Sequence, residues 1–206
     1  MKYDWKKMEK AYYAPKAKPE KVIVPAMNFF TICGDGNPND SFFADYIAVL
    51  YSLSYAVKMS PKSDSAPDNY FEYSVYPLEG IWDVNDEAKQ VPMEKLDKDS
   101  LMFTLMIRQP DFVTAEYAAE IIEKTKKKKK HPLLDVVKFE TIEDGVCVQM
   151  LHLGSFDNEP RSFADMEAFA ESQGLKRKSK IHREIYLSDA RKTQSDKLKT
   201  ILRFQV

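Results

Sequence analysis

One phrase is written twice in this chain. Residues 23–33 run apolar into Gly34, a polar turn follows, and Ser41-Phe42-Phe43-Ala44-Asp45 opens a helix-like segment. Residues 146–153 run apolar into Gly154, another polar turn follows, and Ser162-Phe163-Ala164-Asp165 opens a second. A strand-like stretch comes after each helix, at residues 71–78 and 181–187. Two copies are too few for a solenoid and suit a pair of βαββ halves. The fold expected is therefore α+β, a duplicated βαββ module with pseudo-twofold symmetry. Helices should pack on antiparallel sheet, with a ligand cleft at the twofold, because small molecules favour such concavities. The expected layout is a single domain over residues 1–206. It has an N-terminal arm (1–20), a first half (21–110), a connecting helix (111–140) and a second half (141–206).

Local signals set the finer expectations. The turn at residues 34–40 is dense in helix breakers and ends at a candidate N-cap, Asp40 or Ser41. Phe43, Ile47, Leu50 and Val57 form one stripe of the first helix, which should stop before Pro61. Thr114 is placed to cap a middle helix with Ala118, Ile121 and Ile122 inward. In the second-half helix, Ser162 and Asp165 stand in capping-box spacing and Gly174 supplies a stop. The last strand alternates, with Leu198, Thr200, Leu202 and Phe204 facing one way and Lys199, Arg203 and Gln205 the other. That pattern predicts one dry and one wet face.

Charge and composition exclude several function classes. The formal net charge is −1 over 206 residues, so no global field recruits nucleic acid or an anionic membrane. Lys126 to Lys130 is the one cationic run, and it complements the end of the middle helix. Cys33 and Cys147 are too few for a disulfide framework, so reduced, buried thiols are expected. The first residues lack the apolar core of a secretory signal, and no run is long enough for a membrane span. The expectation is a soluble, cytoplasmic monomer or homodimer, with no nucleic-acid or membrane partner and no cofactor.

Chemistry concentrates in Ile181-His182-Arg183-Glu184-Ile185-Tyr186-Leu187. With a period of two, His182, Glu184 and Tyr186 share a face, and Ile181, Ile185 and Leu187 share the other with Arg183. The polar row either lines a cleft away from the helices or simply meets solvent. Laying residues 75–78 on 185–188 pairs Tyr76 with Tyr186, so both halves offer a tyrosine but only one offers the acid. A single carboxylate among aromatic rings suits a cationic or polarised apolar ligand. Burial would make it a usable general acid or base. Trp82 reads either as a core anchor or as a stacking wall, and Tyr51 and Tyr55 share a helix face. His152, His182 and Glu184 include metal-ligating types, but no partner motif accompanies them and no metal is expected.

Longer stretches carry a resemblance. Tyr76-Pro77-Leu78-Glu79-Gly80-Ile81-Trp82, residues 104–113, residues 182–189 and residues 198–203 resemble the GyrI-like small-molecule-binding family in its standalone form. The resemblance implies the duplicated module, an acid at Glu184 in the cleft, and aromatic walls from Trp82 and nearby tyrosines. It implies drug sensing, DNA-gyrase modulation or, in some standalone members, hydrolysis of strained cyclopropane rings. His182-Arg183 replaces the paired histidine often found before the acid. The site expected on these grounds has Glu184 and Tyr186 as catalytic residues. Its ligand-binding residues are Trp82, Tyr76, Glu184, Tyr186, His182, Tyr55 and His152, holding a hydrophobic, aromatic or cationic small molecule. Turnover, sequestration or sensing without chemistry, and gyrase modulation all remain open from sequence.

Overall fold

The computed structural model describes residues 2–63, 65–90 and 97–206. It is mixed α+β, as expected. After two single-turn helices, α1 (Trp5–Met8) and α2 (Lys10–Tyr13), come β1 (Glu20–Val24), β2 (Met27–Asp35), α3 (Phe43–Lys58), β3 (Leu78–Val84) and β4 (Leu101–Arg108). Then follow α4 (Ala115–Lys128), β5 (Lys138–Ile142), β6 (Gly145–Leu153), α5 (Glu159–Ser172), β7 (His182–Tyr186) and β8 (Lys199–Gln205). The strands are hydrogen-bonded in the orders β3-β4-β2-β5 and β1-β6-β8-β7.

Two compact units divide the chain. The first comprises Met1–Tyr3, Met27–Leu78 and Trp82–Ile142; the second comprises Asp4–Ala26, Glu79–Ile81 and Glu143–Val206. Each is built to the same register. In the first, β5 pairs antiparallel with β2, Met27 opposite Ile142 and Thr31 opposite Lys138. In the second, β1 pairs with β6, Val24 opposite Gly145 and Glu20 opposite Gln149. The inner pairs match as well: Gly34 faces Phe103 across β2 and β4, and His152 faces Thr200 across β6 and β8.

That register corrects the glycine pairing taken from sequence. β2 and β6 are both nine residues long, and the residues just past them are Gly36 and Gly154. Both have positive φ, 106° and 118°, a backbone region that costs glycine little. Gly36 is thus the counterpart of Gly154, while Gly34 lies inside β2 at the place His152 takes in β6. Gly34 answers a different need. A Cβ there would stand 2.6 Å from the Phe103 ring and 2.8 Å from Tyr46.

Other expectations change for local reasons. Pro25 cannot donate to a ladder, and the apolar run over residues 23–33 is divided between β1 and β2 around it. Residues 71–77 are not a strand; only Tyr73 makes a bridge, to Tyr3, and β3 begins at Leu78. Neither serine caps its helix. Phe42 occupies the α3 N-cap in helical conformation, and α5 begins three residues before Ser162, with Pro160 in its first turn. Thr114 does cap α4, accepting from the Tyr117 N–H at 3.2 Å. Gly174 does stop α5: its N–H reaches the Glu171 carbonyl and that of Leu175 reaches Ala170, a Schellman closure. Cys147 is buried but Cys33 is exposed, contrary to expectation, and both are free.

The core of the second unit explains where its polar residues go. Val148 and Met150 of β6 and Leu202 and Phe204 of β8 pack with Met166 and Ala170 of α5. The opposite face of β8 is not wet. Arg203 is buried, donating to Gln149 Oε1 at 2.8 Å and to the Tyr12 carbonyl at 2.8 Å. The N-terminal arm makes this difference: Trp5 and Tyr13 are buried, and Gln149 donates to the Ala11 carbonyl at 2.7 Å. Among the described residues no helix is long and apolar enough to cross a membrane.

Candidate functional site

β7 separates two polar systems by its alternation. Arg183 points to one side, where it is 4% exposed. Its guanidinium donates to Glu79 Oε2 at 2.9 Å and to Asp144 Oδ1 at 2.7 Å. Arg203 adds a second cation 3.8 Å from Asp144, and Tyr13 donates to Glu79 at 3.3 Å. Burial works against the Arg183 charge, but Glu79 and Asp144 outweigh it and hold its pKa above the ordinary value. Two cations against two anions in a buried setting is a structural arrangement, because removing any one leaves a desolvated charge.

The other side of β7 carries His182, Glu184 and Tyr186, together as expected. The row turns toward α5 rather than away from the helices. Glu184 lies opposite Leu202 and Tyr186 opposite Thr200, so the row continues the face that α5 covers. The Tyr186 hydroxyl donates to Glu184 Oε2 at 2.8 Å. His182 Nε2 stands 3.1 Å from Glu184 Oε1, and its Nδ1 is 3.2 Å from the Lys180 carbonyl. Phe163 of α5 meets the His182 ring edge-on at 4.7 Å, and Phe156 meets Tyr186 at 6.1 Å.

A residue that sequence reading did not single out completes the cluster. Glu159, the first residue of α5, is 7% exposed and hydrogen-bonds to Glu184. Its carboxyl pKa is pushed up to about 10, first by burial and then by the Glu184 charge and hydrogen bond. Burial and the adjacent Glu184 both favour the neutral form of Glu159. Nothing in the sequence marked it. An acid in a first helical turn is an ordinary complement to the macrodipole.

His152 sits beside this cluster with both nitrogens engaged. Nε2 donates to the Ser155 carbonyl at 3.0 Å, so Nδ1 accepts from the Ser162 hydroxyl at 2.9 Å. The serine expected as a cap instead ties α5 to β6.

The remaining expected residues belong to the first unit and stand in three settings. Trp82 is buried, with its ring 6.0 Å from Phe43 and 5.5 Å from Phe103. Tyr76 is buried beneath the Arg108 guanidinium, 4.7 Å away. Together with Tyr3, Phe71, Pro110 and Asp111, these two line a cavity of about 280 Å³. Tyr55 is 51% exposed on α3, 6.3 Å from Tyr51.

Fold and cluster define a mixed α+β protein with paired strand–helix units, one of which holds two adjacent buried carboxyl groups flanked by imidazole and phenol. The chain belongs to the family of the GyrI-like small molecule binding domain, whose sequence profile matches residues 17–206. It is similar over 98% of both chains to a conserved uncharacterized protein of Listeria innocua, at 40% identity and a TM-score of 0.89. It is similar to a hydrolase of Listeria innocua at 39% identity, TM-score 0.88, again over 98% of each chain. The C-terminal domain of EcmrR shares the fold at 13% identity and a TM-score of 0.50, over 91% of this chain and 96% of that one. No curated protein sequence matches the chain significantly.

Proposed function

We propose that this protein binds hydrophobic, aromatic or cationic small molecules, xenobiotics among them, and hydrolyses strained electrophiles of the cyclopropanoid type. The observation that carries this reading is the setting of Glu184, a largely buried carboxylate that accepts from Tyr186 at 2.8 Å and has His182 at 3.1 Å. A carboxylate in such a setting can take a proton from water, and the neighbouring phenol can hold an oxygen of the substrate. The similarity to a hydrolase at 39% identity supports turnover over binding alone.

The chemistry balances without a cofactor. Water oxygen bonds to a cyclopropane carbon as a ring C–C bond breaks. The electron pair moves into the conjugated acceptor, which is protonated. Glu184 receives the proton that water gives up and passes it to the acceptor, so the carboxylate is regenerated and the product is substrate plus one water.

The test is incubation of the protein, in the presence of EDTA, with cationic aromatics and neutral cyclopropane-bearing electrophiles. Mass and melting temperature are followed together. A gain of one water in an electrophile supports the hydrolase. Melting shifts with unchanged masses would replace it by a sequestering or sensing role, and neither response would remove small-molecule binding at this site.

A further inference from the structure

We propose that Glu159, His182 and Glu184 form a binding site for a divalent first-row transition ion such as Zn²⁺ or Mn²⁺. One ligand atom from each lies within 4.8 Å of the other two. The sequence places Glu159 more than twenty residues from His182, on α5 rather than β7, which is why no spacing motif announces the set.

The hydrogen-bond donors and acceptors carry the argument. His182 Nδ1 faces the Lys180 carbonyl at 3.2 Å, and a carbonyl can only accept, so Nδ1 carries the proton. Nε2 stands 3.1 Å from Glu184 Oε1, and the line between them takes either a proton or a cation. A carboxyl oxygen of Glu159 joins them within 4.8 Å, and this side chain is more than nine-tenths buried with its Oε1 left without a hydrogen-bond partner. A backbone carbonyl holding the far nitrogen is also the arrangement that orients imidazole toward a metal.

Donor type selects the ion. Once the ion displaces the Glu159 proton to solvent, one imidazole nitrogen and two carboxylates suit zinc or manganese, and the imidazole disfavours magnesium and calcium. Metal–ligand bonds of about 2.0–2.2 Å require the widest pair of donors to close by roughly 1 Å, within the reach of a glutamate rotamer. Three protein donors leave room for water. The His182 and Glu184 side chains are 21% and 11% exposed, so the cluster is open to solvent on their side.

This inference shares residues with the hydrolase reading but needs no substrate, and its probe is the metal alone. Protein dialysed against EDTA and then against metal-free buffer is titrated with Mn²⁺, followed by the free-ion electron paramagnetic resonance signal, and with Zn²⁺ by calorimetry. The expected result is one saturable site per chain that Mg²⁺ does not compete away at equal concentration. Glu159→Gln and His182→Gln should each weaken it by about tenfold or more, while His131→Gln, altering the histidine near Asp45 in the first unit, leaves it unchanged. Circular dichroism of each variant verifies folding. A free-ion signal from the wild type throughout the titration overturns the proposal without any variant. So does binding that survives both substitutions, which would place the ion elsewhere.

Discussion

The two units lay strands in the same register and cover them with a helix of similar length, yet fill the seam beneath that helix with opposite chemistry. In the first, Gly34 opposite Phe103 leaves room for a ring, Phe43 and Tyr46 meet the Phe103 ring edge-on, and Trp82 stacks on Phe43. In the second, His152 opposite Thr200 occupies the matching positions, and Ser162, Glu159, His182, Glu184 and Tyr186 gather around them. Aromatic packing is insensitive to proton and ion traffic and gives a fixed wall. A buried cluster of titratable groups responds to both, and the hydrogen bonds that hold it offset part of its desolvation cost. On the proposed function, one frame serves rigidity in one unit and reactivity in the other.

The strongest way to break this comparison acts on the far side of β7. If the second unit depends on its buried ions, Arg183→Met should destabilise the protein by about 3–5 kcal/mol, because Glu79 and Asp144 are left desolvated. Urea unfolding measures this. A loss below about 1 kcal/mol would show that the ion network is dispensable and the polar division of β7 incidental.

A smaller effect is expected in the first unit. Gly34→Ala puts a methyl group 2.6 Å from the Phe103 ring, and overpacking of this kind costs about 1–3 kcal/mol. Thermal melting of that variant sharpens the claim that Gly34 exists for ring packing. An unchanged melting temperature would show the aromatic seam to be loose.

The mildest test uses one cysteine in each unit. Cys33 is exposed, while the Cys147 thiol is pushed up to about 11 by burial and then by Asp144. At pH 8 its thiolate fraction is about 10⁻³. Iodoacetamide should therefore modify Cys33 first, with Cys147 slower by about tenfold or more, as peptide mass mapping will show. Equal rates would mean that the second unit opens readily.

How far these features were legible follows from the range of the forces involved. Local signals were readable: Thr114 as a cap, Gly174 as a stop, and the β7 alternation that groups His182, Glu184 and Tyr186. Signals that depend on tertiary neighbours were not. Arg203 looked like a wet-face residue because the arm that buries it lies nearly two hundred residues away in sequence. Arg183 looked out of place among apolar neighbours until Glu79 and Asp144 were brought beside it. Ser162 carried a capping pattern, but Pro160 allows the helix to begin earlier and frees the hydroxyl for His152. Glu159 was silent because its significance lies wholly in facing Glu184.

The measurement that bears most directly on the division of labour is Glu184→Gln, assayed for stability, binding and turnover on the same preparation. The substitution keeps shape and one acceptor oxygen, turns the other acceptor into a donor and removes the charge. The account predicts a retained cooperative melt, turnover of neutral electrophiles reduced by about 10²–10⁴-fold, and binding of cationic aromatics weakened by about 1–3 kcal/mol. Turnover and cation binding at wild-type levels in a folded Glu184→Gln protein would contradict it, and would return the second seam to the same structural role as the first.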